Sequence, residues 1–147
     1  MNDTISLIKS IDRKIRKSMD LDQKFFVDNK VTKVQSFIIG FLYKNEGEIY
    51  QKDIEEHFKI SKASASELLN SMEENELIIR ETSPKDGRLK SIKLTERGKS
   101  VHIYVMERLS LIEEEMLKGL SKEEKEILIS LLTKLNDRLE GYINACN

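Results

Sequence analysis

The chain has 147 residues, which suits one domain, or a small domain with an oligomerisation extension, and is long enough to bury a real core. Charged residues make up 35% and hydrophobic ones 39%, a soluble, helix-rich balance that excludes a disordered chain. A formal net charge of −1 excludes a protein that coats nucleic acid indiscriminately, while leaving room for a local basic surface offset elsewhere.

The N-terminus lacks the basic start and continuous apolar stretch of a signal peptide. No run approaches the roughly 18 apolar residues of a membrane span. A cytoplasmic protein without a membrane partner is therefore expected. The single cysteine, Cys146, permits no intrachain disulfide, and Cys146, His57 and His102 have no standard metal-ligand spacing. No metal and no other cofactor is expected.

From Asp3 to Met19, Ile8, Ile11, Ile15 and Met19 form a helical stripe among Lys9, Arg13, Lys14, Arg16 and Lys17. Leu21, Phe25, Phe26 and Val27 mark a packed connection, and Thr32-Lys33-Val34-Gln35 is a capping box that opens the next helix. There Val34, Phe37, Ile38, Phe41 and Leu42 predict a wide buried face, ending near Asn45-Glu46-Gly47. Glu48-Ile49-Tyr50 reads as a short strand able to add to a later hairpin.

Ile54 and Phe58 then share one face of a helix, Ile60 lies in a short connection, and Ser61 caps a second helix. That helix should bury Ala65, Leu68, Leu69 and Met72, spaced i, i+3, i+4, i+7. Its other face carries Lys62, Ser64, Ser66, Glu67 and Asn70. These short or polar side chains suit base edges, although a solvated face would look the same in isolation. Leu77 to Thr82 and Leu89 to Leu94 follow as strand-like runs around Ser83-Pro84-Lys85-Asp86-Gly87-Arg88. Pro84 pre-sets a turn, and Asp86-Gly87 supplies residues that tolerate positive φ. From Arg80 to Lys99 the cations Arg80, Lys85, Arg88, Lys90, Lys93, Arg97 and Lys99 face only Glu81, Asp86 and Glu96, a balance that attracts phosphate. Two helices followed at once by a charged-tip hairpin are the pattern of a winged helix-turn-helix.

Beyond the hairpin, Thr95 caps a long helix with Val101, Tyr104, Val105, Leu109, Ile112, Met116 and Leu120 at apolar positions. Ser121-Lys122-Glu123-Glu124 is a second capping box, opening a helix with Leu128, Leu131, Leu132, Leu135, Leu139 and Tyr142, widened by Ile127 and Ile143. These helices carry more apolar surface than one small winged-helix core can cover. A second copy of the chain is the economical partner, since twofold dimers dominate homo-oligomers; an intrachain three-helix bundle is the alternative. The expected fold is mainly α with a small β-wing. Residues 1–30 and 100–147 should form a helical dimerisation region from both chain ends, with 31–99 as the DNA-binding domain.

Ser61-Lys62-Ala63-Ser64-Ala65-Ser66, Leu77-Ile78-Ile79-Arg80, Pro84-Lys85-Asp86-Gly87-Arg88 and Leu94-Thr95-Glu96-Arg97-Gly98 resemble the MarR family of bacterial and archaeal transcription regulators. The resemblance implies a recognition helix in the major groove and an Asp-x-Arg pair at the wing tip, Asp86 and Arg88 here, with the Arg in the minor groove. It implies a homodimer on a pseudo-palindromic double-stranded operator, acting as a repressor and released by a small-molecule effector. In the family, effectors bind where the winged domain meets the dimer helices, here the region of Ile11, Ile15, Phe37, Phe41 and Tyr104. The chain departs from the family pattern in having Ser83 for an acidic residue before the wing Pro and Glu67 for a frequent basic residue. It also has Glu76 for a frequent Gly, so Asn75 is expected to take the left-handed conformation at that helix end.

An enzyme is not expected, because no nucleophile elbow, metal-binding His pair or paired-Gly phosphate motif is present. The alternative function is a winged-helix module that binds protein without specific DNA binding. Asp86 and Arg88 on the wing, and the small polar face of the helix after Ser61, favour DNA.

Overall fold

The computed structural model describes residues 3–20 and 23–147. Leu21, expected in a packed connection, lies outside the described residues. The elements run α1 (Thr4–Asp20), α2 (Gln23–Asp28), α3 (Lys33–Lys44), α4 (Gln51–Phe58), α5 (Lys62–Glu74), β1 (Ile78–Thr82), β2 (Lys90–Leu94), α6 (Glu96–Met116) and α7 (Lys122–Cys146). The chain is mostly helical with one small antiparallel sheet of β1 and β2. It divides into two compact units, Met1–Ser110 and Leu111–Asn147, and the boundary falls within α6. No helix among the described residues is long and apolar enough to cross a membrane.

The helix starts follow local chemistry. Thr32 and Gln35 make the reciprocal capping box at α3. Ser61 Oγ accepts from Ser64 N–H at 3.0 Å to open α5, and Thr95 Oγ1 accepts from Gly98 N–H at 3.0 Å to open α6. At α7 the Ser121 hydroxyl accepts from Glu124 N–H at 3.1 Å. Each side chain satisfies an orphan donor of the first turn.

Three helices stop in the same way, and without glycine. After α2, α4 and α5 the chain turns through Lys30, Lys59 and Glu76, all at positive φ of 53°, 54° and 58°. After α5, Glu76 N–H donates to Glu73 C=O at 3.0 Å and Leu77 N–H to Met72 C=O at 2.9 Å, the bond pair of a Schellman motif. Val31 N–H to Phe26 C=O and Ile60 N–H to Glu55 C=O are the matching long bonds after α2 and α4. Each left-handed residue is followed by an apolar one that turns inward: Val31 and Leu77 are buried and Ile60 packs against the core. Asn75 does not take the left-handed conformation; its φ is −89°. The bond pair requires the turn one residue later, where the next side chain, Leu77, can reach the interior beside Met72.

The core of the first unit comprises Ile38, Ile39 and Leu42 of α3, Ile54 of α4, Leu69 and Met72 of α5, Ile78 and Ile92 of the sheet and Val101 of α6, with Leu77 between α5 and β1. The buried face of α3 is thus rotated from expectation: Val34 and Phe37 are 46% and 62% exposed, while Gln35 and Ile39 are buried. Apolar residues cover most of the α3 circumference, so periodicity could not choose between the faces. Within the buried set Gln35 also closes the α3 capping box. Residues 48–50 do not form a strand; their one ladder-like contact is Ile92 N–H to Ile49 C=O at 2.7 Å. The chain must turn at once into α4, whose first turn is closed by the Asp53 carboxylate accepting from Tyr50 N–H at 2.8 Å.

Gly98 permits a close approach of α6 to the Leu77 backbone. A Cβ there would fall inside contact distance of the Leu77 carbonyl oxygen and 3.0 Å from Leu94 Cδ2. Arg97, beside it, donates through Nη2 to the Asn29 carbonyl and so ties α6 to the end of α2.

In the second unit, no residue of α7 is buried. Leu131, Leu135, Leu139 and Tyr142 are 53%, 42%, 60% and 67% exposed. Leu120 lies past the end of α6, in the turn built around Gly119 at φ 87°. In the first unit α1 likewise has no buried residue, and Ile8 and Ile11 are 44% and 47% exposed.

Candidate nucleic-acid interface

Helices α4 and α5 are joined by Lys59, Ile60 and Ser61 alone. Ala65, Leu69 and Met72 anchor α5 in the core and Leu68 packs against it. This seating leaves Lys62, Ser64, Glu67 and Asn70 exposed and Ser66 half-buried. The Ser64 hydroxyl is 3.0 Å from that of Ser61, and Gln51 donates to the Lys62 carbonyl at 3.3 Å, joining the first turns of the two helices. Asn70 is the polar residue of this face with a partner from the sheet: its Oδ1 accepts from Arg80 Nη1 at 2.9 Å.

The wing pairs Ile78 with Leu94, Arg80 with Ile92 and Thr82 with Lys90. Its tip is closed by backbone bonds, Ser83 N–H to Leu89 C=O at 2.8 Å and Leu89 N–H to Asp86 C=O at 3.0 Å, and shaped further by side chains, not by positive φ. Neither Asp86 nor Gly87 is left-handed. Ser83 Oγ accepts from Lys85 N–H at 3.1 Å, and Asp86 Oδ1 from Arg88 N–H at 3.0 Å, two side-chain turns in succession. These bonds shape a loop of more than two residues, for which a primed hairpin turn is not required. The same Asp86 oxygen lies 3.4 Å from Arg88 Nε, while the Arg88 side chain is 92% exposed. The cation is therefore oriented and open. Lys85 is exposed as well.

The base of the wing has its own anchor. Ser83 is 3% exposed, and its hydroxyl donates to Glu48 Oε2 at 3.0 Å. Tyr50 donates to the same carboxylate oxygen and lies 3.1 Å from Ser83 Oγ. The Tyr50 hydrogen bond foremost, then that from Ser83 and the nearby Lys85 and Lys93 ammonium groups, hold the Glu48 carboxyl below its ordinary value against the cost of desolvation. The bond to Glu48 raises the Tyr50 phenol in turn. Ser83 stands where the wing motif commonly has an acidic residue, and Glu48 brings a carboxylate to that point from the segment before α4.

Sequence reasoning passed over Glu48, Tyr50 and the role of Arg80. A signal for Arg80 existed: period-two alternation places it on the same sheet face as Ile78, the inward one, where a cation needs a partner. The five residues of the expected effector region are spread among different neighbours. Phe41 packs on His57 and Phe58, with ring centroids at 4.3 and 5.8 Å, and Tyr104 stacks on Phe25 at 3.6 Å. Phe37 and Ile11 are exposed and Ile15 is half-buried.

Two helices across a three-residue connection, the second seated by its apolar stripe and followed by a wing, define a winged helix-turn-helix protein. A family model described as the MarR family matches residues 30–89. The chain is 30% identical to the transcription regulator MarR from Oenococcus oeni PSU-1, covering 92% of this chain and 99% of that one, with a TM-score of 0.58. It is also similar to S. aureus MepR in complex with DNA, 26% identical over 91% of this chain and 98% of that one at a TM-score of 0.70. S. aureus MepR bound to ethidium bromide matches at the same identity and TM-score, covering 93% of this chain and 96% of that one. The chain belongs to the MarR family of transcriptional regulators.

Proposed function

We propose that this protein is a homodimeric, sequence-specific DNA-binding repressor that acts on a pseudo-palindromic operator and is released by a small-molecule effector. One observation carries the reading: the polar face of α5 is held outward by a buried apolar stripe, beside a wing whose Arg88 is open and oriented by Asp86. Lys62, Ser64, Ser66, Glu67 and Asn70 would meet the major groove, with Lys85, Asp86 and Arg88 at the flanking minor groove and backbone. The likeness to MepR solved with DNA supports this.

Residues 1–30 and 100–147 form the dimerisation region in this reading, and 31–99 the DNA-binding domain. The apolar surfaces of α1 and α7 are too large to leave in water and match what a second copy would cover. Two recognition helices on one dimer would enter successive major grooves about 34 to 36 Å apart. An effector lowers operator affinity by the difference in its own affinity for the two lobe separations. The likeness to MepR bound to ethidium bromide supports a planar aromatic cation as the kind of effector. Ile11 and Phe37 are the open side chains for it, with the half-buried Ile15 beside them on α1 and Phe41 and Tyr104 bordering through their ring contacts.

The test is a mobility shift with the DNA upstream of the protein's own gene, competed by random duplex and repeated across salt. A shift that survives a large excess of random DNA supports the reading. Equal competition by random DNA would refute it.

A further inference from the structure

The Arg80–Asn70 contact constrains more than the fold. Arg80 lies on β1 and is half-buried; its Nη2 is buried without a hydrogen-bond partner, and its Nη1 donates to Asn70 Oδ1 at 2.9 Å. A guanidinium has donors only, so the Asn70 atom facing it must be the carbonyl oxygen. This removes the ambiguity that usually attends the two ends of an amide. The amide NH2 of Asn70 is then the end left for a partner outside the protein, on an exposed position of α5.

We propose that Arg80 is a positioning residue that fixes Asn70 as a hydrogen-bond donor, so that Asn70 reads a guanine edge in the major groove. The inference rests on the DNA-binding reading above. An asparagine reads adenine by turning both its oxygen and its NH2 into the groove, one to N6 and one to N7. Here the oxygen is held towards β1, and that pairing is lost. Guanine presents two acceptors, N7 and O6, and no donor at those positions, so a donor-only amide fits it best. The charge behind the amide also polarises its NH2 and strengthens the bond it donates. Glu67, one turn earlier on the exposed face, is acceptor-only and would complement the amino group of a cytosine in the same half-site.

The experiment selects duplexes from a randomised pool with the full-length protein, then measures binding to the selected site with single guanines replaced by 7-deazaguanine, which lacks N7. One guanine per half-site should weaken wild-type binding about tenfold when so replaced, within the range of one specific base contact. Asn70→Asp keeps an oxygen for Arg80 and removes the NH2; it should abolish that sensitivity with an unchanged melting temperature. Arg80→Met should bring the guanine-to-adenine preference at that position towards unity, and Arg80→Lys, which still donates, should retain it. Equal 7-deazaguanine sensitivity in the wild type and Asn70→Asp would overturn the inference, as would adenine at the Asn70-dependent position. If Arg80→Met does not fold, the Asn70→Asp comparison decides alone. Selection of a site with no Asn70-dependent base would overturn this inference only. Failure to select any sequence would remove the DNA-binding reading along with it.

Discussion

At the scale of residues, the wing combines an open cation with a closed anchor. Arg88 contributes little to stability, since an ion pair with one partner 92% exposed is screened by water. Arg88→Ala should therefore weaken operator binding by about 1 to 3 kcal/mol with little change in melting temperature. Asp86→Ala should act in the same direction but less strongly, because the charge remains and only its orientation is lost. A binding titration beside a thermal melt checks both, and normal affinity in an intact Arg88→Ala fold would remove the wing from the interface. The anchor beneath it has a pH window. Glu48 is held below its ordinary 4.5, so its contribution is present above that pH and is lost as pH falls through the lowered value. Tyr50 is raised above its ordinary 10.0, so its contribution is present below that pH and is lost as pH rises through the raised value. In an ultraviolet titration, the phenolate signal missing from Tyr50→Phe should be one that develops above pH 10; a midpoint at or below 10 would contradict the Glu48–Tyr50 bond.

At the scale of elements, the end of α5 and the start of α6 meet around Leu77, and glycine has opposite value at the two. Glu76 is left-handed at φ 58°, a conformation that costs a residue with a Cβ about 1 to 2 kcal/mol. Glycine avoids that cost but adds about 0.5 to 1 kcal/mol of unfolded-state entropy, so Glu76→Gly should be stabilising by several tenths of a kcal/mol. Gly98 has no such freedom to change, because a Cβ there meets the Leu77 carbonyl and the Leu94 side chain. Gly98→Ala should cost about 1 to 3 kcal/mol, as overpacking does. Chemical denaturation of the two variants gives the comparison, and its sign should differ between them. Helix α5 is thus held at its C-terminal end by backbone geometry and at its flank by Arg80.

At the scale of the whole molecule, the winged unit closes its own core, whereas α1 and α7 contribute no buried residue to the chain. Removing residues 121–147 should leave a protein that aggregates or becomes monomeric and loses operator affinity, since one reading lobe cannot engage both half-sites. Sedimentation with a binding titration measures this, and a soluble truncated monomer of full affinity would exclude the dimeric mechanism. Burial of α7 side chains in the intact protein, seen as slow amide exchange that weakens on dilution, would follow from the same mechanism.

The sequence by itself determined the helix-turn-helix, the wing and the helix starts, because their causes lie within a few residues. The hydroxyls of Thr32, Ser61 and Thr95 reach an N–H three positions on, and the α5 stripe of Ala65, Leu68, Leu69 and Met72 repeats at the helical period. Tertiary structure alone decided which face of α3 is buried, since apolar residues lie on several sides and only the neighbouring elements could select Ile39 over Phe37. It also placed the left-handed turn at Glu76, where no glycine marked it, because the position follows from bringing Leu77 beside Met72. Glu48 meets Ser83 across 35 residues, and Arg80 meets Asn70 only once the strand has folded back along the helix. Such contacts carry no local signal. They exist because a buried or half-buried polar group must find a partner, and the partner is chosen by what packing brings within reach.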